Sequence, residues 1–177
     1  MKQLLLFTLL LMTGMVYAQG DRELVDNFFK SDSNIIYWKN IQETDLSLNE
    51  LTDALIETGF FTDVDVTGNK IICDFRPYKL NYEQHGYTVL SVPAFLINCL
   101  VTGTVVFELK EDRYRVIVKN IRFINNTDDG FGIVYPLEYY VLNRQQEIRF
   151  SIFKDCSGLL NKEFTLKMKL KKDQSEW

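Results

Sequence analysis

Histidine is nearly missing from this chain, with His85 the single one in 177 residues. Cysteine and proline each number three, and glycine nine. One His leaves little material for a metal centre or for an imidazole acid–base pair. Three scattered Cys are too few for a disulfide scaffold, and so little Gly and Pro excludes collagen-like or low-complexity sequence. Beyond the first 18 residues, no apolar run approaches the ~20 residues that a membrane-crossing helix needs. Positive charge is also short: 20 Lys and Arg stand against 24 Asp and Glu, for a net charge of −4. With a pI near 5.1, the chain is not expected to bind nucleic acid nonspecifically or anionic lipid tightly. The Gly-x-Ser-x-Gly, His-Glu-x-x-His, phosphate-loop and dinucleotide patterns are all absent. What is present is 46% hydrophobic, 14% aromatic and 25% charged, the make-up of one folded domain large enough for a core.

The N-terminus carries an address. Met1-Lys2-Gln3 is short and basic, Leu4 to Met12 is apolar apart from Thr8, and Gly14 and Val16-Tyr17-Ala18 follow. Those three parts make a secretory signal, with cleavage expected after Ala18. The residue after it is Gln19, not Cys, so no lipoprotein anchor is expected. The plan is residues 1–18 as signal peptide, 19–33 as an N-terminal arm, 34–172 as one domain and 173–177 as a tail. The product is expected in the periplasm or outside the cell, with no stable membrane span after cleavage.

Along the domain, Asn34 to Trp38 reads as a strand rich in β-branched and aromatic residues. Ser47-Leu48-Asn49-Glu50 is a capping box, with Leu46 and Leu51 placed as a hydrophobic staple. Leu48, Leu51 and Leu55 supply an apolar face, and Gly59 stands where a helix stops. Lys70 to Phe75 reads as a strand stopped by Pro77, Arg76 to Gly86 as a loop, and Tyr87 to Val92 as a short strand. Val101 to Leu109 and Arg113 to Phe123 alternate in polarity around the charged turn Lys110-Glu111-Asp112, which makes them a hairpin. Asp128-Asp129-Gly130 centres a loop. Pro136 opens helical spacing that reaches about Leu160, and Phe164 to Leu170 fits either a last strand or more helix. Cys73 and Cys99 lie on strand-spaced apolar faces, and Cys156 on a helical stripe with Ile148, Ile152 and Leu160. These Cys read as three buried thiols or as a Cys73–Cys99 bridge with Cys156 left free, and a catalytic thiol is disfavoured because no electropositive helix start or second His is evident. The fold class expected is α+β, an antiparallel sheet with helices packed on one face in the order β-α-β4-α.

Tyr37-Trp38-Lys39, Glu43 to Ser47, Gly59-Phe60-Phe61 and, above all, Lys110 to Val116 with its Lys-Glu-Asp-Arg-Tyr-Arg-Val hairpin resemble a secreted Bacteroidetes family of unknown function. That family has a TBP-like fold domain. The resemblance spans about Asn34 to Ile124, implies the same β-α-β4-α order and brings no activity with it. A TBP-like fold does not imply DNA binding, because function resides in sites and not in folds.

Three groups of residues invite a function. Alternation puts Arg113, Arg115 and Lys119 on one strand face, with Ile117 and Ile121 between them; two guanidinium groups there suit a carboxylate or phosphate, or else pair with Glu108 or Glu111 across the hairpin. Arg76, Tyr78, Tyr82 and His85, with Tyr87 beyond, form a loop whose side chains suit a sugar or peptide, and Tyr135, Tyr139 and Tyr140 add a second aromatic cluster. His85 lacks any indicated partner for acid–base work. Asp63, Asp65, Gly68 and Asp74 imitate the spacing of a calcium loop, but Lys70 and the strand pattern favour a turn between strands. No cofactor, metal or catalytic residue is therefore expected. The reading is a non-enzymatic binding or accessory module of the cell envelope, with an envelope protein or a small ligand as partner. An envelope enzyme near His85 and a surface-assembly component are the alternatives.

Overall fold

Eight antiparallel strands form the sheet in this computed structural model, which describes residues 21–125 and 132–170. The signal segment, the Asp128-Asp129-Gly130 turn and the tail at 173–177 lie outside the described residues. The order across the sheet is β1 (Arg22–Glu23), β2 (Phe28–Lys30), β3 (Ile36–Glu43), β7 (Arg113–Asn125), β6 (Leu100–Lys110), β5 (Lys70–Lys79) and β4 (Phe61–Thr67). A short β8 (Ile133–Pro136) pairs with the far end of β7. The helices are α1 (Leu48–Glu57), α2 (Ala94–Asn98), α3 (Leu137–Val141) and α4 (Phe150–Lys167). From β3 onward the chain follows β-α-β4-α, with short elements added, and the class is α+β with an open antiparallel sheet.

The capping box forms as its residues require: the Ser47 hydroxyl accepts from the Glu50 N–H, and the Glu50 carboxylate accepts from the Ser47 N–H at 2.9 Å. Leu46 and Leu51 are both buried. Gly59, at φ +62°, ends the helix in the left-handed region that a side chain disfavours.

Alternation sends one side of every long strand inward. Trp38, Ile71, Cys73, Phe75, Val105, Phe107, Tyr114, Val116 and Val118 are buried, and so are Leu51 and Leu55 of α1. Helix α4 covers this layer. Its Phe164 ring lies 5.7 Å from Trp38 and 6.2 Å from Phe75, and Phe153 meets Phe28 edge-on at 5.6 Å. Burying each such ring is worth about 1.5–3 kcal/mol. The polar ends of the aromatics are answered by the same segment. Trp38 Nε1 donates to Asn161 Oδ1 at 2.8 Å, and the Tyr114 hydroxyl donates to the Met168 carbonyl at 3.0 Å while accepting from the Leu170 N–H. Gly158, inside α4, costs about 1 kcal/mol of helix propensity relative to Ala. A Cβ there would lie 2.8 Å from the Tyr87 hydroxyl, so the gap lets Tyr87 approach.

Several expectations need correcting. Strand β5 runs through Pro77 to Lys79, because the register shifts between Phe75 and Tyr78 and lifts the proline out of the ladder, where its missing N–H costs nothing. Residues 87–92 do not form a strand. The Ser91 hydroxyl accepts from the Thr88 N–H at 2.9 Å and closes a 3₁₀ turn at Val89–Ser91. The fourth central strand is instead β4, joined to β5 by the two-residue turn Gly68-Asn69. Cys99 ends helix α2, its N–H bonded to the Phe95 carbonyl, and does not sit within a strand. Ile121 leaves the Arg113–Lys119 face, because a bulge with Asn120 at φ +52° turns it into the core. The arm supplies β1 and β2, which extend the sheet beyond β3. The stretch after Pro136 is two helices with a turn between them, and the second continues to Lys167. All three Cys are buried and unpaired, and burial pushes the Cys73 and Cys156 thiols up to about 12.

Replacing Ser47 by Ala removes the side-chain acceptor of the cap. Urea denaturation is expected to show a loss of about 1 kcal/mol, with an unchanged slope, and no loss would mean that the cap is dispensable.

Candidate functional site

The six candidate side chains do not form one site. Arg113 and Arg115 point away from α4, on the face of β7 opposite Tyr114 and Val116, whereas Tyr78, Tyr82 and His85 pack on the α4 side. Arg76, on the same strand as Tyr78 and toward the end of the sheet away from Arg113, lines a small groove of about 570 Å³ with Phe60, Phe61, Leu166 and Lys167, and Phe60 and Lys167 also contact Tyr78.

On the helix side, the structure gives His85 a partner. Its Nε2 lies 3.2 Å from Glu163 Oε1, close enough for an ion pair when the ring is protonated, although the N–H does not point along the line of a hydrogen bond. The Glu163 side chain is only 2% exposed and that of His85 11%. Glu163 Oε1 also accepts from the Asn81 N–H at 3.0 Å. Lys162 donates to the His85 carbonyl at 3.2 Å and lies 4.7 Å from the Tyr87 ring centre. The Tyr78 hydroxyl is buried without a hydrogen-bond partner, and its pKa is driven upward by desolvation first and by the Glu163 charge second. Together these contacts fasten the 79–87 segment to α4. The buried His85–Glu163 pair clamps the segment to α4, and Tyr82 serves the same segment by accepting from the His85 and Tyr87 N–H groups through its carbonyl. Glu163 was readable as a misfit: it falls on the stripe of Phe153, Cys156 and Leu160, where an acid is not expected. Nothing in the spacing linked it to His85.

The other face of the sheet presents an ordered set of rows. Ile41, Arg115, Glu108 and Lys70 lie side by side across β3, β7, β6 and β5; the next row is Lys39, Ile117, Val106 and Ile72, ending at Asp65 of β4. Arg115 Nε donates to Glu108 Oε2 at 3.0 Å, its Nη2 closes on the same oxygen, and Lys70 Nζ lies 3.5 Å from Oε1. The cross-hairpin pair expected for these arginines is therefore Arg115 with Glu108. The Arg115 hydrogen bond, helped by the Arg115 and Lys70 charges against desolvation, holds the Glu108 carboxyl below its usual range. Arg113 has no such partner among the described residues. Ile41 is 61% exposed, and two positions beyond Lys39 on the same face Phe29 and Tyr37 stack at 5.5 Å, with Lys39 Nζ 3.9 Å from the Phe29 ring centre.

The third group, Tyr135, Tyr139 and Tyr140, is drawn together around α3. Tyr135 stacks on Tyr139 at 4.5 Å, and Tyr140 stacks on Phe95 at 4.0 Å. The calcium-like spacing at Asp63–Asp74 is taken up by the β4–β5 hairpin. Among the described residues, no three His, Cys, Asp or Glu side chains are gathered as a metal would need.

Glu163→Ala would leave the Asn81 N–H and His85 unanswered at a buried point. It is expected to cost about 1–3 kcal/mol in urea denaturation, with Glu163→Gln costing less because an acceptor oxygen remains. Equal stability of Glu163→Ala and wild type would contradict the clamp.

No family model matches the chain, and no curated protein does. Two solved structures do. A TBP-like protein from Parabacteroides distasonis is 10% identical over 77% of this chain and 91% of its own, with a TM-score of 0.45. A DUF4468 family protein from Bacteroides ovatus is 14% identical over 82% of this chain and 87% of its own, also with a TM-score of 0.45. Both come from Bacteroidetes, and the first carries the TBP-like description that the sequence resemblance implied.

Proposed function

We propose that this chain is an exported, non-enzymatic binding or accessory module of the cell envelope, and that it takes a protein partner on the uncovered face of its sheet. One observation carries the reading. In a chain where acids outnumber bases, the outward strand positions from Lys110 and Arg113 to Thr104 hold six basic side chains, Lys39, Lys70, Lys110, Arg113, Arg115 and Lys119, against four acids, Glu43, Asp65, Asp74 and Glu108, with the acids Glu111 and Asp112 in the joining turn. One of those acids, Glu108, is already engaged by two of the bases. Between the charges runs the apolar band of Ile41, Ile117, Val106 and Ile72. A surface of this kind fits an amphipathic segment with an apolar stripe flanked by carboxylates: the band supplies burial, and the charges set orientation and encounter rate. Arg113, with no acid bound to it among the described residues, is the strongest candidate for a bidentate grip on such a carboxylate. The signal-like N-terminus supports export.

The test is crosslinking in cells, then affinity purification from the envelope fraction, using the wild type and a Lys39→Glu/Arg115→Glu/Lys119→Glu variant. The wild type is expected to capture a reproducible acidic protein, and the variant to lose it at least tenfold while melting within a few degrees of wild type. Capture of the same proteins by both, or of nothing above background, would overturn the reading.

A further inference from the structure

We propose a second, separate site: a groove beside the Val89–Ser91 turn that binds a neutral sugar. The groove encloses about 830 Å³, within the range of small-ligand sites, and lies between Leu90–Pro93, α2, α3 and the first turns of α4. It does not involve the uncovered sheet face or the His85–Glu163 clamp.

Its walls mix polar groups with the rings of Phe95, Tyr139 and Tyr140 and the side chain of Ile152, and Leu90 is fully exposed at the lip. The rings hold one another in place. Phe95 and Tyr140 are parallel within 4° and 4.0 Å apart, Tyr139 meets Tyr140 edge-on at 5.2 Å, and Tyr135 backs Tyr139 at 4.5 Å. Tyr139 is nonetheless 61% exposed. A fixed aromatic ring that is open to solvent is a ready platform for the C–H face of a sugar ring, since the electron-rich ring face attracts the weakly positive hydrogens.

Two charged side chains complete the groove, Arg149 and Asp155. Neither is in an ion pair among the described residues, whose three pairs all lie elsewhere. Arg is a donor only and a carboxylate an acceptor only. An anionic ligand would meet Asp155 and a cationic one Arg149, and each would be repelled at one end. A hydroxyl both donates and accepts, so a neutral polyhydroxylated ligand satisfies both groups at no cost in charge. Arg149 caps α4 and Asp155 lies in its second turn, so the two charges stand at separate points of the groove.

The experiment uses saturation-transfer NMR and calorimetry on the full chain with cellobiose, maltose, lactose and diacetylchitobiose, and glycylglycine as a zwitterionic control. At least one disaccharide is expected to bind. Tyr139→Ala and Arg149→Ala should each weaken it about tenfold, equivalent to 1.4 kcal/mol, without lowering the melting temperature. Binding of no disaccharide at about 10 mM, undiminished binding by Tyr139→Ala, or binding of glycylglycine alone would each overturn the proposal.

Discussion

The seating of α4 on one face of the sheet is the constraint from which the rest follows. Phe164 touches Phe28, Trp38 and Phe75, on three strands, and the polar tips of Trp38 and Tyr114 end on Asn161 and Met168 of the same C-terminal segment. A sheet of this width has two faces, and the long helix covers one. The inward alternates are therefore aromatic and aliphatic, and the outward alternates must live in water. Their mixture of Ile, Val, Lys, Arg and Glu is a compromise between solubility and contact. Large apolar side chains such as Ile41 and Ile72 are retained among the charges, and the proposed partner would bury them.

The same helix organises the segment between β5 and β6. Those residues contain two 3₁₀ turns and the short helix α2, with little regular hydrogen bonding of their own. They are held by side chains: Glu163 to Asn81 and His85, Lys162 to His85 and Tyr87, and Gly158 making room for the Tyr87 hydroxyl. A lone histidine in a cleft invites a catalytic reading. Here its carboxylate neighbour is buried with it, and the pair fixes a connection that also forms one wall of the aromatic groove.

Much of this architecture was legible because local chemistry and tertiary structure agree. The Ser47–Glu50 box, the Lys110–Arg113 hairpin and the outward Arg113–Lys119 alternation needed only neighbours in sequence. The failures share one cause, which is that a distant contact decided the outcome. Pro77 reads as a strand end until a register shift against β6 makes its missing N–H harmless. Ile121 reads as outward until a bulge against Thr102–Thr104 reverses its side. Phe95 to Cys99 alternate like a strand, yet they form a helix packed on Phe123 and Tyr140. The candidate residues showed the same division. Arg113 and Arg115 were placed together by strand period alone, whereas Tyr78 and His85 acquired their meaning from Glu163, which no spacing connects to them.

The central claim is that the face left bare by α4 is the working face. A photo-crosslinking residue placed singly at Ile117, in the middle of that face, and at Leu166, exposed on α4, tests it most directly in living cells. Protein adducts from Ile117 and none from Leu166 are the predicted result. Adducts from Leu166 with none from Ile117 would mean that the partner sits on the helix layer, and would contradict the account.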